Sequence, residues 1–275
     1  MLKVLLRNPL TLFAVSIVLF VGVLALRLAI AAPLPYDLDD PSEPWRKSNS
    51  GVSKRVMPPY TALVRRGRTI ECWGRSYKLG ALFPASLTSQ SQQLLAGPVS
   101  VRLRTGGKWT TLEGTDFHVK HASDDHIDFG GSAAVGSLRV LVSSWCEYDG
   151  LIRTDMRLVP KQSCVIEGLE LVLPFKPEAS IFYHVERLWG RHIYKRSPTR
   201  YGDTAAYSWH PLIWVGNHDV GLTVVTETQD GWTSAKNSIE FKRTAQSLTL
   251  TLHIISKPVR LTGEKTYTFG FRQRP

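Results

Sequence analysis

Four acidic side chains near two turns are the candidates for acid–base chemistry. Glu147 and Asp149 belong to one turn, and Glu227 and Asp230 belong to another. Hydrolysis of a glycosidic bond needs two carboxyl groups facing each other across the bond, one of them kept protonated by its surroundings. Asp149 and Asp230 each precede a glycine, which is the usual residue order of a tight turn. We interpret both as turn residues and predict no catalytic residue.

Sugar binding is the second chemistry that the residue types suggest. Pyranose rings stack their CH faces on exposed tryptophan or tyrosine, and neighbouring polar side chains hydrogen-bond the hydroxyl groups. Such residues are concentrated between positions 207 and 232. If the domain binds a sugar, we predict that its ligand-binding residues are Trp209, Trp232, Tyr207, His210 and Asp230. The alternative is that these rings fill a core, since aromatic side chains bury the largest areas.

The cysteines do not indicate a metal site. Cys72, Cys146 and Cys164 leave an odd thiol after any pairing, and each lies in a strand-like segment where a thiol packs as a small apolar group. The sequence has no CxxC motif and no cysteine–histidine spacing typical of zinc. We favour free thiols and predict neither a metal nor a cofactor.

The first 31 residues form a separate segment. Lys3 and Arg7 precede an uncharged apolar run from Leu10 to Leu26, and a small-residue site follows at Ala29–Ala31. This order is typical of an export signal peptide. The run is also long enough to remain as a single N-terminal transmembrane helix. Both readings predict an exported protein, periplasmic or extracellular, that touches the membrane only if this segment is retained.

The composition of two segments predicts a linker at residues 32–58 and a basic loop at residues 187–200. Residues 32–58 are rich in proline, serine and charge, which is typical of a linker. The formal net charge is +11, and the run 187–200 mixes cations with Trp189 and Tyr194. Such a run could hold an anionic polymer or a membrane surface. A solvated basic loop is the simpler interpretation, and without a nucleic-acid motif we predict no nucleic-acid partner.

Residues 59–275 alternate apolar and polar side chains with a period of two. In "SLTLTLHII", for example, Leu248, Leu250, Leu252 and Ile254 share one face. No later stretch keeps a helical period, so the sequence predicts an all-β domain. About a dozen such strands can bury their apolar faces only in packed sheets. We therefore predict a large antiparallel β-sandwich, or two small sandwiches side by side, preceded by the N-terminal hydrophobic helix.

Turn residues set the register of three hairpins. Gly106-Gly107 as a two-residue loop pairs Leu103 with Thr110. A three-residue loop through Tyr148-Asp149-Gly150 pairs Cys146 with Ile152 and leaves Arg153, Asp155 and Arg157 on the other face, where charge pairing explains them. In the third hairpin, a turn at Gly216–Asp219 is expected to bring Trp214 opposite Leu222 in the core.

Several strings resemble one known family. They are "CWGRSYKLG", "LTSQSQQLLAGPVSV", "EYDGLIRTDMRLVP", "IEGLELVLPF", "WVGNHDVGLTVVTETQDGW" and "YTFGFRQRP", in this order. Together they resemble the N-terminal β-sandwich region of glycoside hydrolase family 123 proteins, over roughly residues 58–275. The resemblance implies β-N-acetylgalactosaminidase relatives whose adjacent Asp-Glu pair lies in a separate (β/α)8 barrel. This sequence has no Asp-Glu dipeptide, so no catalytic residue is carried over.

These observations leave three functional classes. The first is an exported non-catalytic module that binds carbohydrate or supports a partner glycosidase. The second is part of a split or truncated β-N-acetylgalactosaminidase-like hydrolase whose barrel is elsewhere. The third is a structural envelope protein without a ligand.

Overall fold

The computed structural model describes residues 53–186, 192–196, 203–234 and 236–274, with a few isolated positions before residue 53. Residues Lys54–Pro275 form one compact unit. The predicted signal peptide or anchor helix, more than half of the linker and most of the basic run 187–200 lie outside the described residues. Among the residues that are described, no helix is long and apolar enough to cross a membrane.

The described residues form antiparallel strands and a single 3₁₀ turn at Pro177–Ala179. The first eleven strands are β1 (Val64–Arg66), β2 (Thr69–Cys72), β3 (Arg75–Leu79), β4 (Pro84–Ser89), β5 (Gln92–Gln93), β6 (Ser100–Thr105), β7 (Lys108–Thr111), β8 (Thr115–Ala122), β9 (His126–Val135), β10 (Leu138–Glu147) and β11 (Leu151–Pro160). The others are β12 (Cys164–Ile166), β13 (Gly168–Phe175), β14 (Phe182–Glu186), β15 (His192–Arg196), β16 (Thr204–Tyr207), β17 (Leu212–Gly216), β18 (Gly221–Thr226), β19 (Ile239–Arg243), β20 (Leu248–Ile255), β21 (Val259–Leu261) and β22 (Lys265–Arg274).

These strands form three sheets and one isolated pair. The largest has nine strands in the order β15-β14-β17-β18-β22-β11-β10-β9-β8, and the second has six in the order β16-β19-β20-β13-β6-β7. Strands β1 to β5 form a third sheet in chain order, and β12 pairs with β21. The all-β prediction is confirmed. The sequence yielded fewer strands because many of these are too short to show an alternation.

The core forms where the apolar faces of the sheets meet. Along β10 every second residue is buried, from Leu138 to Cys146, as a half-buried strand requires. Tyr183 of the nine-stranded sheet stacks on Phe241 of the six-stranded sheet, with ring centroids 4.3 Å apart. Tyr267, Phe269 and Phe271 point into the same core from β22, as the alternation of "TYTFGF" predicts.

The β10–β11 hairpin has the predicted register. Cys146 lies opposite Ile152, and the turn passes through Tyr148, Asp149 and Gly150, whose φ of +81° is left-handed. The Asp149 carboxylate accepts a hydrogen bond from the backbone N–H of Leu151 at 2.9 Å, so Asp149 holds this turn. The β6–β7 hairpin also agrees, with both Gly106 and Gly107 at positive φ and Leu103 opposite Thr110.

The prediction for Trp214 is wrong. Trp214 lies opposite Thr223, and it is Val215 that pairs with Leu222. The Asn217 side chain accepts hydrogen bonds from the backbone N–H groups of Asp219 and Val220, both at 2.9 Å, and this turn sets Gly216 opposite Gly221. Because side chains alternate, Trp214 then faces outward, and its half-buried indole covers the two glycines.

All three cysteines lie in the described part of the chain as free thiols. Cys72 and Cys146 are buried, and this burial raises the pKa of both thiols. They therefore pack as small apolar groups, and neither has the lowered pKa of a reactive thiol.

Candidate functional site

A polar groove of about 680 Å³ lies on the outer face of the nine-stranded sheet. It is formed where β8, β9, β10, β11 and β22 run side by side. The residues that line the groove are Asp116, His118, Lys120, Gly131, Ser132, Arg139, Leu141, Val142, Ser143, Arg153, Asp155, Arg157, Thr266 and Thr268. We call this cavity the sheet groove.

The register of the strands explains this collection of polar residues. One cross-strand row runs through Thr268, Asp155, Ser143, Gly130 and His118, with one residue from each of the five strands. The next row runs through Thr266, Arg157, Leu141, Ser132 and Thr115. Rows of this kind place side chains about 5 Å apart across a sheet, close enough to contact one ligand.

Arg153 and Asp155 form a fixed network in the middle of the groove. Arg153 donates to Asp155 at 2.9 Å through Nη1 and to Glu227 at 2.9 Å through Nη2. The hydroxyl of Thr268 donates to the second oxygen of Asp155 at 2.6 Å. Partial burial would lower the pKa of Arg153, but the hydrogen bonds and charges of Glu227 and Asp155 raise it overall. The guanidinium is thus held in one orientation and permanently charged.

Asp116 and Ser132 form the opposite wall. Asp116 has a left-handed φ of +54°, which is uncommon for a residue other than glycine. Its carboxylate accepts hydrogen bonds from the hydroxyls of Ser132 at 2.7 Å and Thr115 at 3.1 Å. These two bonds lower the pKa of Asp116. The carbonyl oxygen of Asp116 also lies 2.7 Å from Nδ1 of His118 and fixes that ring.

The charges of the groove favour binding over hydrolysis. Four cationic side chains line it, Lys120, Arg139, Arg153 and Arg157, against the two carboxylates of Asp116 and Asp155. A general acid in glycoside hydrolysis needs a raised pKa, and that of Asp116 is lowered. Fixed donors and acceptors with an excess of positive charge can bind a polar ligand that carries acidic groups.

An aromatic ring lies in the row next to the groove. Trp145 is directly opposite Arg153 on β11 and opposite Asp128 on β9. Its half-buried indole packs against the ring of His126, with centroids 5.7 Å apart. Sequence reasoning did not select Trp145, nor the groove residues of β8 and β9. It did place Arg153, Asp155 and Arg157 on an outward face, and this was the only signal pointing to the groove.

The sequence-predicted binding residues lie elsewhere: Tyr207 is in a strand, and the other four lie in the connections that precede β17 and follow β18. Tyr207 is in β16 of the six-stranded sheet, where its hydroxyl hydrogen-bonds that of Tyr183 and its ring packs against Phe241. His210 is buried beside β17, with Nδ1 2.8 Å from the carbonyl oxygen of Ser208. Both side chains are therefore fixed within the fold.

Trp209, Asp230 and Trp232 are more accessible. Asp230 is 81% exposed and forms an ion pair with Lys265, which lowers its pKa. Trp232 is half-buried and packs against the core. Trp209 is also half-buried, and its Nε1 has no hydrogen-bond partner among the described residues. Within the described part of the chain, no group of three or more His, Cys, Asp or Glu side chains could hold a metal ion.

These features define an antiparallel β-sandwich domain with a polar groove on the outer face of its largest sheet. The chain belongs to the family described as glycoside hydrolase 123, third domain, whose profile matches residues 63–245 and thus more than half of the sequence. The resemblance to glycoside hydrolase family 123 is confirmed, and the matched region is its third domain. No curated protein sequence matches the chain.

Several solved structures are similar in part. The Slr1438 protein from Synechocystis sp. PCC 6803 is 10% identical with a TM-score of 0.47, and the match covers 78% of this chain and 95% of that one. Galactose 1-epimerase from Lactobacillus acidophilus NCFM is 9% identical with a TM-score of 0.44, covering 78% and 98%. An amine oxidase from Aspergillus nidulans is 9% identical with a TM-score of 0.45, covering 88% and 55%. At these values the likenesses carry no conclusion about the activity of this chain.

Proposed function

We propose that this chain is an exported, non-catalytic module that binds carbohydrate in the sheet groove and so acts as an accessory to a glycosidase. The observation that carries the proposal is the groove itself. A member of a glycoside hydrolase family presents, on its largest sheet, a cavity of about 680 Å³ lined by oriented hydrogen-bonding side chains. Cavities of roughly 300–1,000 Å³ with a few fixed polar groups are typical of small-ligand sites.

The arrangement of donors and acceptors fits a sugar. Arg153, Asp155 and Thr268 are already bonded to one another, so they lose little conformational freedom when a ligand binds. Each keeps further hydrogen-bonding capacity for sugar hydroxyls. Trp145, in the adjoining row, supplies a half-buried ring on whose accessible part a pyranose face could stack.

The charge of the groove favours an acidic sugar. Arg139 and Lys120 line it, and neither forms a salt bridge with a carboxylate in the described part of the chain. Carboxylate or sulfate groups on a saccharide would neutralise such cations, and guanidinium groups bind them in a bidentate manner. We therefore propose that the preferred ligands are oligosaccharides with uronate or sulfate groups.

Two further parts of the proposal rest on the sequence. The charged and apolar order of residues 1–31 supports export, and retention of that segment would tether the domain to a membrane. The half-buried rings of Trp209 and Trp232, with Asp230 nearby in sequence, remain a second candidate for sugar contact. A glycosidase is the partner that an accessory sugar-binding domain of this family would serve.

The test is a binding measurement on the purified full-length chain in a detergent that carries no sugar. A glycan array with neutral, uronate and sulfated oligosaccharides comes first, followed by calorimetric titration with tetragalacturonate. Arg153→Ala should weaken binding by tenfold or more, because it removes a charged donor from the groove. Arg260→Ala is the matched control, since this exposed arginine lies outside the groove on β21 and, among the described residues, makes only a hydrogen bond of 3.5 Å to the Ser163 hydroxyl. An array without any retained glycan would refute the proposed function.

A further inference from the structure

A second cavity, of about 630 Å³, lies on the five-stranded sheet at the β2–β3 turn. We propose that it is a separate saccharide site, in which a neutral pyranose stacks on Trp73. The residues lining this cavity are Thr61, Ala62, Val64, Glu71, Cys72, Trp73, Gly74, Arg75, Ser76, Thr88, Gln90 and Ser91. We call it the Trp73 pocket. It shares no lining residue with the sheet groove.

The position of Trp73 in its turn is the first observation. Cys72 pairs with Arg75, so Trp73 and Gly74 form a two-residue hairpin loop, with φ of +36° and +73°. Such a loop needs left-handed conformations, for which asparagine and glycine are preferred. Tryptophan is a costly residue there, because its bulky side chain disfavours positive φ. The turn alone therefore does not explain the indole.

The indole is held in place and is half-buried. Tyr60 packs edge-on against it, with ring centroids 5.1 Å apart and planes at 70°. The indole also contacts Arg75, whose guanidinium carbon lies over the Trp73 ring, 5.2 Å from its centroid. The backbone N–H of Trp73 donates to the Thr61 hydroxyl at 2.8 Å. A ring oriented before binding loses little entropy when a sugar stacks on it.

Arg75 supplies a buried donor without a partner. The side chain is only 4% exposed, and its Nη1 donates to the carbonyl oxygen of Asp149 at 2.7 Å. Its Nε is buried and has no hydrogen-bond partner among the described residues. A buried donor left unpaired costs free energy. Because Arg75 lines the pocket, this buried guanidinium places a fixed positive charge in the wall of the cavity, beside the Trp73 ring.

A row of side chains extends from the ring across the sheet. Val64, Glu71, Ser76 and Thr88 lie opposite one another on four adjacent strands, and all four line the pocket. At the spacing of neighbouring strands this row is roughly 14 Å long, enough for several linked sugar rings. Arg66 pairs with Glu71 at 3.2 Å, so the row is balanced in charge and favours a neutral saccharide.

Backbone conformation distinguishes the two cavities from the rest of the described chain. In the described part of the chain, four residues other than glycine have a positive φ, namely Trp73, Gln90, Ser91 and Asp116. The first three line the Trp73 pocket and the fourth lines the sheet groove. Gln90 and Ser91 form the β4–β5 turn, where glycine or asparagine would be less strained. Strained residues of this kind are concentrated at ligand sites in proteins.

The experiment is a calorimetric titration of the full-length chain with two neutral probes, cellotetraose and tetra-N-acetylchitotetraose. We expect binding of at least one probe, and a loss of tenfold or more in Trp73→Asn. Asparagine suits the left-handed turn, so the melting temperature of this variant should stay the same or rise. Binding of neither probe overturns the proposal, and so does undiminished binding by Trp73→Asn.

A groove variant separates this site from the proposed function. Arg153→Ala should weaken binding of tetragalacturonate and leave binding of the neutral probe unchanged. Equal loss of both probes in Arg153→Ala would place them in one site and overturn the second. If Trp73→Asn does not fold, the indole N–H resonance of Trp73 in the unaltered chain decides. A shift on addition of the neutral probe supports the Trp73 pocket, and an unmoved resonance at saturation refutes it.

Discussion

The hydroxyl of Tyr77 donates a hydrogen bond to the carbonyl oxygen of Gly150 at 2.7 Å, across 73 positions of sequence. Both residues are buried, and Tyr77 is fully so. The bond joins β3 of the five-stranded sheet to the β10–β11 turn of the nine-stranded sheet. Arg75 reinforces it by donating to the neighbouring carbonyl of Asp149. Two of the family-like strings, "CWGRSYKLG" and "EYDGLIRTDMRLVP", thus meet at this contact.

Tyr77→Phe is expected to lower the free energy of unfolding by about 1–3 kcal/mol, because the buried Gly150 carbonyl loses its side-chain donor. Urea denaturation followed by circular dichroism measures the change. Tyr60→Phe is the matched control. Among the described residues its hydroxyl makes only an exposed contact of 3.5 Å with Arg272, so its loss should cost less than about 0.5 kcal/mol. Equal effects of the two substitutions would contradict the prediction.

Gly150→Ala should be more destabilising than the same change at Gly136. Both glycines are left-handed, with φ of +81° and +55°, so alanine is strained at either position by about 1–2 kcal/mol. An added Cβ at Gly150 would lie 2.6 Å from both Arg75 Nη1 and the Tyr77 hydroxyl, whereas nothing lies within 4 Å at Gly136. The difference between the unfolding free energies of the two variants measures the cost of disturbing the contact of the Gly150 turn with Arg75 and Tyr77. A larger loss at Gly136 would argue against this contact.

Stability should fall as the pH rises from about 10 towards 12. Burial, and to a lesser degree the charge of Asp230, raises the pKa of Tyr267 from 10.0 to about 12. A group with a raised folded-state pKa stabilises the fold fully below its unfolded pKa and loses that contribution as the pH passes through the folded value. Urea denaturation at pH 9, 10, 11 and 12 should show the decline, with a shallower slope in Tyr267→Phe. Parallel slopes would exclude Tyr267 as a contributor.

Trp232→Ala should lower the stability of the fold, whereas Trp209→Ala should lower the affinity for a sugar. The partly buried Trp232 packs against the core, so its loss should cost about 2 kcal/mol of stability, roughly half the value for a fully buried ring. If Trp209 is the sugar platform, its truncation should cost on the order of 2 kcal/mol of affinity and leave the melting temperature nearly intact. Thermal denaturation and titration with a glycan retained on the array measure both. Strong destabilisation by both substitutions would show that Trp209 and Trp232 serve the stability of the fold and not sugar binding.

The full-length chain should not hydrolyse p-nitrophenyl N-acetyl-β-galactosaminide above the buffer blank. The sequence has no adjacent Asp-Glu pair, and the lowered pKa of Asp116 opposes a role as general acid. Release of nitrophenol is followed by absorbance. Turnover that one carboxylate substitution abolishes, while an Arg260→Ala preparation retains it, would establish an enzyme instead.

Local turn chemistry was predictable from the sequence, and the assembly of distant strands was not. The register of β10–β11 follows from Gly150 and the alternation of neighbouring residues, because a shift of one residue would turn every apolar side chain outward. Trp214 was misplaced because the register there depends on how the Asn217 side chain closes the turn.

The sheet groove could not be predicted because its rows combine strands far apart in sequence. Thr268 reaches Asp155 across 113 positions, and His118 joins the same row only through the irregular β8–β9 pairing. Alternation indicates which face a side chain occupies, and it does not indicate which strands will be neighbours. Arg153, Asp155 and Arg157 were therefore placed on the correct face without any sign of a cavity.

The last strand of the described chain lies in the interior of the largest sheet. β22 is bonded to β18 on one side and to β11 on the other, and it carries Thr266 and Thr268 of the groove. Until β22 has been synthesised, the earlier strands of this sheet form two separate groups, β15-β14-β17-β18 and β11-β10-β9-β8. The unpaired edges of β18 and β11 can then pair with other chains. Loss of residues 265–274 would leave the facing edges of β11 and β18 unpaired, so the truncated chain should be prone to aggregation and would lack Thr266 and Thr268 of the sheet groove.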